Sequence, residues 1–85
     1  MDDMELLQEF ARRQSEEAFR TLVERHVDFV YATALRQLHS AQAAEEAAQA
    51  VFIDLAAKAR VIPKTVVLSG WLFRAVRFAA GKAGR

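Results

Sequence analysis

Apolar residues recur at three- and four-residue steps along almost the whole chain, a spacing that places them on one side of an α-helix. The 85 residues include only three glycines and one proline, so few positions interrupt helices or favour the turns of a sheet. Apolar residues make up 53% of the chain, which is enough for one small hydrophobic core. These features predict a single all-α domain, a compact bundle of about four helices.

The first three helices are predicted at about 2–13, 16–38 and 41–60, where the apolar stripe is continuous. Ser15 and Ser40 stand directly before the second and third helices. A serine at this position accepts a hydrogen bond from a backbone N–H of the first helical turn. We therefore expect these two serines to be N-caps.

The segment 61–70 breaks the helical pattern, because Pro63 cannot continue a helix and the residues after it are poor helix formers. We expect an ordered loop there, followed by a last helix that Ser69 caps and that begins near Gly70. The side chains expected in the core are Leu6, Leu7 and Phe10 of the first helix, Phe19, Leu22, Val23, Val27, Val30, Ala34 and Leu38 of the second, Ala44, Ala48, Val51, Phe52, Leu55 and Ala59 of the third, and Trp71, Leu72, Ala75 and Ala79 of the last.

The charge of the chain changes sign along its length. Residues 1–54 contain five Lys/Arg against eleven Asp/Glu, a net charge of −6, whereas residues 55–85 contain seven Lys/Arg and no Asp or Glu, a net charge of +7. A basic segment attracts phosphate and an acidic segment repels it. This asymmetry predicts nucleic-acid binding by the last third of the chain, although a charge run alone also fits an ordinary solvated face.

Catalytic and metal-binding residues are not indicated. The chain has no cysteine, and its two histidines, His26 and His39, have no i, i+4 histidine partner. Glu45 and Glu46 are adjacent, so on a helix they point about 100° apart and do not form an acid/base pair. We therefore expect that the chain is not an enzyme and that it binds no metal and no cofactor. The N-terminus lacks the features of a signal peptide, and no segment approaches the ~20 apolar residues of a membrane span, so we expect a cytoplasmic protein.

Three segments, in this order, resemble region 2 of bacterial sigma factors: AFRTLVERHVDFVYATALRQL, AAEEAAQAVFIDLAAKA and LSGWLFRAVR. The resemblance is greatest to the extracytoplasmic-function branch of the sigma seventy family and spans nearly the whole chain. In that family, region 2 is a small helical domain. It docks on the clamp helices of the RNA polymerase β′ subunit, and it melts the promoter minus-ten element and reads it as a single strand.

The resemblance implies two surfaces and their residues. The polymerase-docking surface maps to the solvent side of the third helix, and the promoter-reading surface maps to the loop and the basic side of the last helix. An anti-sigma factor is implied as a further partner. Trp71 is assigned to the core rather than to stacking on a base. The implied polymerase-binding residues are Glu45, Glu46, Gln49 and Ile53, and the implied DNA-binding residues are Lys64, Thr65, Leu68, Ser69, Arg74, Arg77, Lys82 and Arg85.

The chain departs from the family pattern in two ways. Many members continue the last helix with an Arg-Asn pair and a later Asp, whereas this chain has Arg77-Phe78 and no later acid. A complete sigma factor also has a second domain that reads the upstream promoter element, and 85 residues leave no room for it. We therefore expect residues 1–85 to be a region 2 domain excised or truncated from a longer protein.

Two other classes stay open. A helix-turn-helix reader of duplex DNA needs a turn of about 3–4 residues, and the loop before the last helix is longer. A helical bundle that only binds another protein, unrelated to polymerase, would not need a last third free of carboxylates.

Overall fold

The computed structural model describes residues 1–83, which form four α-helices and no strand. They are α1 (Asp3–Arg13), α2 (Glu16–Leu38), α3 (Ala41–Lys58) and α4 (Leu68–Ala83). The predicted all-α bundle of about four helices is confirmed. Helix α2 packs against each of the other three, and α3 also packs against α4. Within residues 1–83, no helix combines the length and apolar character that a membrane span requires.

Hydroxyl and carboxylate side chains cap the first three helices, as helix starts generally require. Ser15 Oγ accepts from the backbone N–H of Ala18, and Ser40 Oγ accepts from that of Ala43, both at 3.2 Å. Both predicted caps are confirmed. Helix α1 has a further cap that was not predicted, a capping box in which the side chains of Asp2 and Glu5 each accept a hydrogen bond from the other residue's backbone N–H.

Residues in the left-handed conformation end α1 and α2. Gln14 and His39 both have φ of 56°, and their N–H groups donate to the carbonyl oxygens of Phe10 and Leu35 at 2.9 and 2.8 Å. This geometry satisfies carbonyl groups that would otherwise have no partner at the helix ends. The chain therefore reverses within two residues after each helix, which makes consecutive helices neighbours.

The core lies where α2 meets the other helices and consists mainly of aliphatic side chains. The largest fully buried ones are Leu7, Leu22, Leu55, Leu72, Val30, Val51 and Val76. The prediction for α3 is confirmed, since its expected core residues are all buried. Val27 of α2 was expected in the core but is 36% exposed. Thr33 is buried without having been predicted, and its hydroxyl donates to the carbonyl of Phe29 at 2.8 Å.

Helix α4 begins two residues earlier than predicted. The backbone N–H of Trp71 donates to the carbonyl of Val67 at 3.1 Å, which places Val67 at the N-cap position. The predicted cap at Ser69 is therefore wrong, because Ser69 lies inside the helix and is exposed. The apolar side chain of Leu68 contributes to the core from the first turn.

The buried line of α4 is also rotated from the predicted one. It runs in four-residue steps through Leu68, Leu72, Val76 and Ala80, all of them buried. The prediction had named Leu72 with Trp71, Ala75 and Ala79, and these last three are only partly buried. They form the margin of the α4 core contact, while Arg74, Arg77 and Phe78 are on the exposed side.

Candidate functional site

An open groove of about 560 Å³ runs between α2 and α3. We call it the α2–α3 groove. Its walls are mostly apolar, and Ile53, which is 70% exposed, stands at its edge. Asp28 of α2 and Glu45 of α3 add one exposed carboxylate from each helix. The lining residues are Val23, Val27, Asp28, Tyr31, Glu45, Ala48, Gln49, Phe52 and Ile53.

Three of the four predicted polymerase-binding residues, Glu45, Gln49 and Ile53, come together in this groove. Glu46 does not line it. Glu46 lies on the other flank of α3, where it lines a recess with Lys82 of α4. The contribution of α2 was missed, because Val27 was assigned to the core by its spacing alone.

The connection between α3 and α4 comprises residues 59–67 and is ordered by backbone hydrogen bonds. The N–H groups of Val61 and Ile62 both donate to the carbonyl of Lys58, at 3.0 and 3.2 Å, and close the end of α3. The N–H of Val66 donates to the carbonyl of Pro63 at 3.1 Å, which forms a turn. The expected ordered loop is thus present, but it ends at residue 67 rather than 70.

A cavity of about 540 Å³ lies between this loop and α1. We call it the loop cavity. Arg60 and Lys64 of the loop line it together with Arg12 of α1, and none of its nine described lining residues carries a carboxylate. Lys64 was predicted from the sequence as a binding residue, whereas Arg12 was not. Arg12 lies in the acidic half of the chain and about fifty residues before the loop, so only the fold shows that it belongs with these cations.

The other loop residues predicted to contact DNA differ in exposure. Thr65 and Ser69 are exposed, as a contact requires. Leu68 is only 2% exposed and belongs to the core. Its assignment to a DNA-reading surface is therefore corrected: the side chain anchors the first turn of α4 and is not available to a ligand.

Exposed cations and aromatic rings lie together on the solvent side of α4. Arg74, Arg77 and Lys82 are all exposed, as predicted, whereas Arg85 lies outside the described residues. The guanidinium carbon of Arg77 is 5.9 Å from the ring centroid of Phe73, and Lys82 Nζ is 5.1 Å from that of Phe78. Both distances fall within the range of cation–π contacts. The helix thus presents positive charge together with aromatic surface.

Within residues 1–83, no group of three His, Cys, Asp or Glu side chains is placed to hold a metal ion.

Residues 22–83 match the family model described as Sigma-70 region 2. The chain belongs to this family. The match covers most of α2 and all of α3 and α4, and it leaves α1 outside. This region 2 domain is thus a sigma factor domain of transcription initiation, in a family that binds RNA polymerase and promoter DNA, as the sequence resemblance implied. No curated protein and no solved structure matches the chain.

Proposed function

We propose that this region 2 domain belongs to a sigma factor of the extracytoplasmic-function branch and acts through two separate surfaces. The α2–α3 groove docks on the clamp helices of the RNA polymerase β′ subunit. The loop cavity and the exposed side of α4 bind the promoter minus-ten element as an unpaired strand. Family membership supports both partners, and the surface chemistry supports this division between them.

The observation that carries the polymerase assignment is the α2–α3 groove itself. An isoleucine that is 70% exposed at the edge of an apolar groove is typical of an interface rather than of a free surface. Apolar grooves between helices commonly receive a partner helix. The carboxylates of Asp28 and Glu45 favour a basic partner surface and repel nucleic acid.

Charge supports the DNA assignment on the other surfaces. Three cations line the loop cavity, and three exposed cations follow one another along α4. Residues 55–85, which supply five of these six, contain no Asp or Glu. Phosphate contacts of this kind bind a strand and position it, while the loop supplies groups that contact base edges.

A duplex-reading helix-turn-helix is not favoured by this geometry. The connection between α3 and α4 has nine residues, against about 3–4 in that motif.

The polymerase surface is tested with the double variant Glu45→Lys, Gln49→Lys. Both residues are exposed, so we expect the free energy of unfolding to change by less than ~0.5 kcal/mol. Binding to the isolated clamp helices should weaken by more than ~2 kcal/mol, about 30-fold, because two positive charges enter a groove suited to a basic partner. Titration calorimetry measures the affinity, and circular dichroism melting checks the fold.

Glu46→Lys is the control for the charge reversal at Glu45, because it makes the same Glu-to-Lys change on the other flank of α3. It should leave the affinity for the clamp helices within about twofold of the parent. Parent-like binding by the double variant would show that the groove is not the docking surface. An equal loss in Glu46→Lys would show that the effect comes from net charge.

A further inference from the structure

The exposed side of α4 carries a large apolar side chain that the core does not use. Phe78 is 68% exposed and does not contribute to the buried core. Arg74, Arg77 and Gly81 are exposed together with it. These four residues follow one another at steps of i, i+3, i+4 and i+7, so they share one side of the helix, which we call the α4 face. A helix that binds in a groove presents its anchor residues with this spacing.

Gly81 leaves one position of the α4 face without a side chain. A Cβ at this position would meet no atom within 4 Å, so packing within the described part of the chain does not require glycine there. Glycine is disfavoured inside helices, but it allows another backbone to approach closely. The α4 face therefore has the form of a contact surface for a further helix.

The α2–α3 groove has the features that this face needs. Val27 and Ile53 of its apolar walls are 36% and 70% exposed. Asp28 and Glu45 contribute one carboxylate from each helix. Within residues 1–83, neither carboxylate takes part in an ion pair. The groove thus suits a partner that combines an apolar side chain with cations.

The charge distribution of the chain favours a second copy as that partner. Residues 1–54 carry a net charge of −6, and residues 55–85 carry a net charge of +7. All residues that line the groove belong to the acidic part, whereas the α4 face belongs to the basic part. Opposite charges attract the basic part of one copy to the acidic part of another, and like parts repel each other. Each copy therefore carries both members of a complementary pair of surfaces.

We propose that the α4 face of one copy of this chain binds in the α2–α3 groove of a second copy. Phe78 lies in the groove near Ile53, and the two arginines of the face lie near its two carboxylates. Each copy in such a pair still has one free surface, so the association is head-to-tail and continues beyond a dimer. The associated form covers both surfaces of the proposed function, so it excludes binding to polymerase and DNA. This consequence rests on the proposed function, whereas the association itself does not.

Sedimentation of the 85-residue chain, freed of nucleic acid so that no strand joins two copies, measures the association. At about 0.05 M salt, the average mass should rise with protein concentration past that of a dimer. One helix face in one groove is a small contact, for which we expect a dissociation constant on the order of 100 μM. At about 0.5 M salt the association should weaken at least about tenfold, because salt screens the exposed charges.

Three substitutions of exposed side chains test the apolar part of the contact. Phe78→Ala should weaken the association at least about tenfold, because it removes the central side chain of the face without a change of charge. Ile53→Ala should weaken it as well, and it should add little in the Phe78→Ala background, as expected of two residues that contact each other. Val67→Ala is the control. Val67 is 72% exposed but lies outside both surfaces, so this variant should associate like the parent.

Charge reversal tests the polar part of the contact. Arg74→Glu with Arg77→Glu should leave the chain monomeric, and so should Asp28→Lys with Glu45→Lys, because like charges then face each other. A chain with all four changes has the net charge of the parent and again places opposite charges against each other. This chain should associate like the parent.

Arg13→Glu with Arg60→Glu is the control for net charge. It changes the net charge as the α4 reversal does, but both arginines lie outside the groove and the α4 face. This variant should associate within about threefold of the parent. An equal loss in this control and in the α4 reversal would show that net charge alone decides the association.

Three further results would overturn the inference. A parent chain that stays monomeric up to about 1 mM at low salt does not recognise itself. Parent-like association of Phe78→Ala would exclude the α4 face as the contact. Clamp helices that bind the parent chain without lowering its average mass would show that the second copy does not lie in the α2–α3 groove.

Discussion

Asp3 of α1 and His26 of α2 form a polar contact between the two helices, with Asp3 Oδ2 2.8 Å from His26 Nε2. Arg25 reaches the same carboxylate, donating from Nη1 to Oδ1 at 3.1 Å and from Nη2 to the carbonyl of Met1 at 2.8 Å. Asp3 thus has partners on both oxygens. Because α1 lies outside the family match, this contact attaches α1 to the matched part of the chain.

Asp3→Ala removes both contacts and should lower the free energy of unfolding by about 1 kcal/mol, since the pair is only partly buried. For a domain of this size, that corresponds to a fall in melting temperature of roughly 4–8 °C. Glu9→Ala is the control on the same helix. Its contact with Arg13 is exposed and longer, at 3.9 Å, so the melting temperature should change little. Equal effects of the two variants would mean that Asp3 contributes no more than an exposed ion pair.

Leu68 should behave as a core residue and not as a loop residue. Leu68→Ala removes a side chain that is 2% exposed and should cost ~2–5 kcal/mol of stability. Its neighbour Val67 is 72% exposed, so Val67→Ala should change stability by less than ~0.5 kcal/mol. Thermal or urea unfolding compares the two. A fully stable Leu68→Ala variant with an altered base preference would restore the original assignment of Leu68 to DNA reading.

Arg12 should join the loop in binding the strand. If the loop cavity holds one phosphate near Arg12, then Arg12→Ala should weaken binding to single-stranded DNA and reduce the slope of log affinity against log salt by about 0.7. Arg13 carries the same charge but does not line the cavity, and it pairs with Glu9. Arg13→Ala should therefore cause a smaller loss. The same titration gives both values, and indistinguishable variants would exclude a specific contact by Arg12.

The cations of α4 should supply attraction without selecting a base. Arg74→Ala with Arg77→Ala should weaken binding to all single strands similarly and flatten the salt slope by about 1 to 1.5 units, as expected for two lost phosphate contacts. Removal of two exposed arginines from the acidic half, Arg13 and Arg20, gives a variant with the same net charge. That control should keep most of the parent slope. A change in base preference in the α4 variant would instead show that these arginines contact base edges.

Local signals in the sequence predicted most of the fold. Ser15 and Ser40 mark helix starts because an N-cap is decided by neighbouring residues, and α2 begins and ends where its apolar stripe predicts. The predicted start of α4 was wrong because Ser69 followed by Gly70 is a pattern typical of a helix start. Leu68 begins the helix instead, since burial of its side chain outweighs the loss of a serine cap.

The binding surfaces were predictable only in part. The resemblance placed Glu45, Gln49 and Ile53 on one face, and that grouping appears in the α2–α3 groove. The α2 wall of the groove could not be predicted, because Val27 has the spacing of a core residue but is 36% exposed in the structure. Arg12 was missed for a similar reason, since no periodic pattern connects α1 to a loop so distant in sequence.

Helix α3 separates the two proposed binding surfaces, with the α2–α3 groove on one flank and α4 packed against the other. One residue inserted between Gln49 and Asp54 would turn the part of α3 after the insertion by about 100° relative to the part before it and shift it by about 1.5 Å. Such an insertion would disturb the helix contacts on both flanks even if the helix still formed. Alignments of related sequences should therefore contain no gaps within the 18 residues of α3.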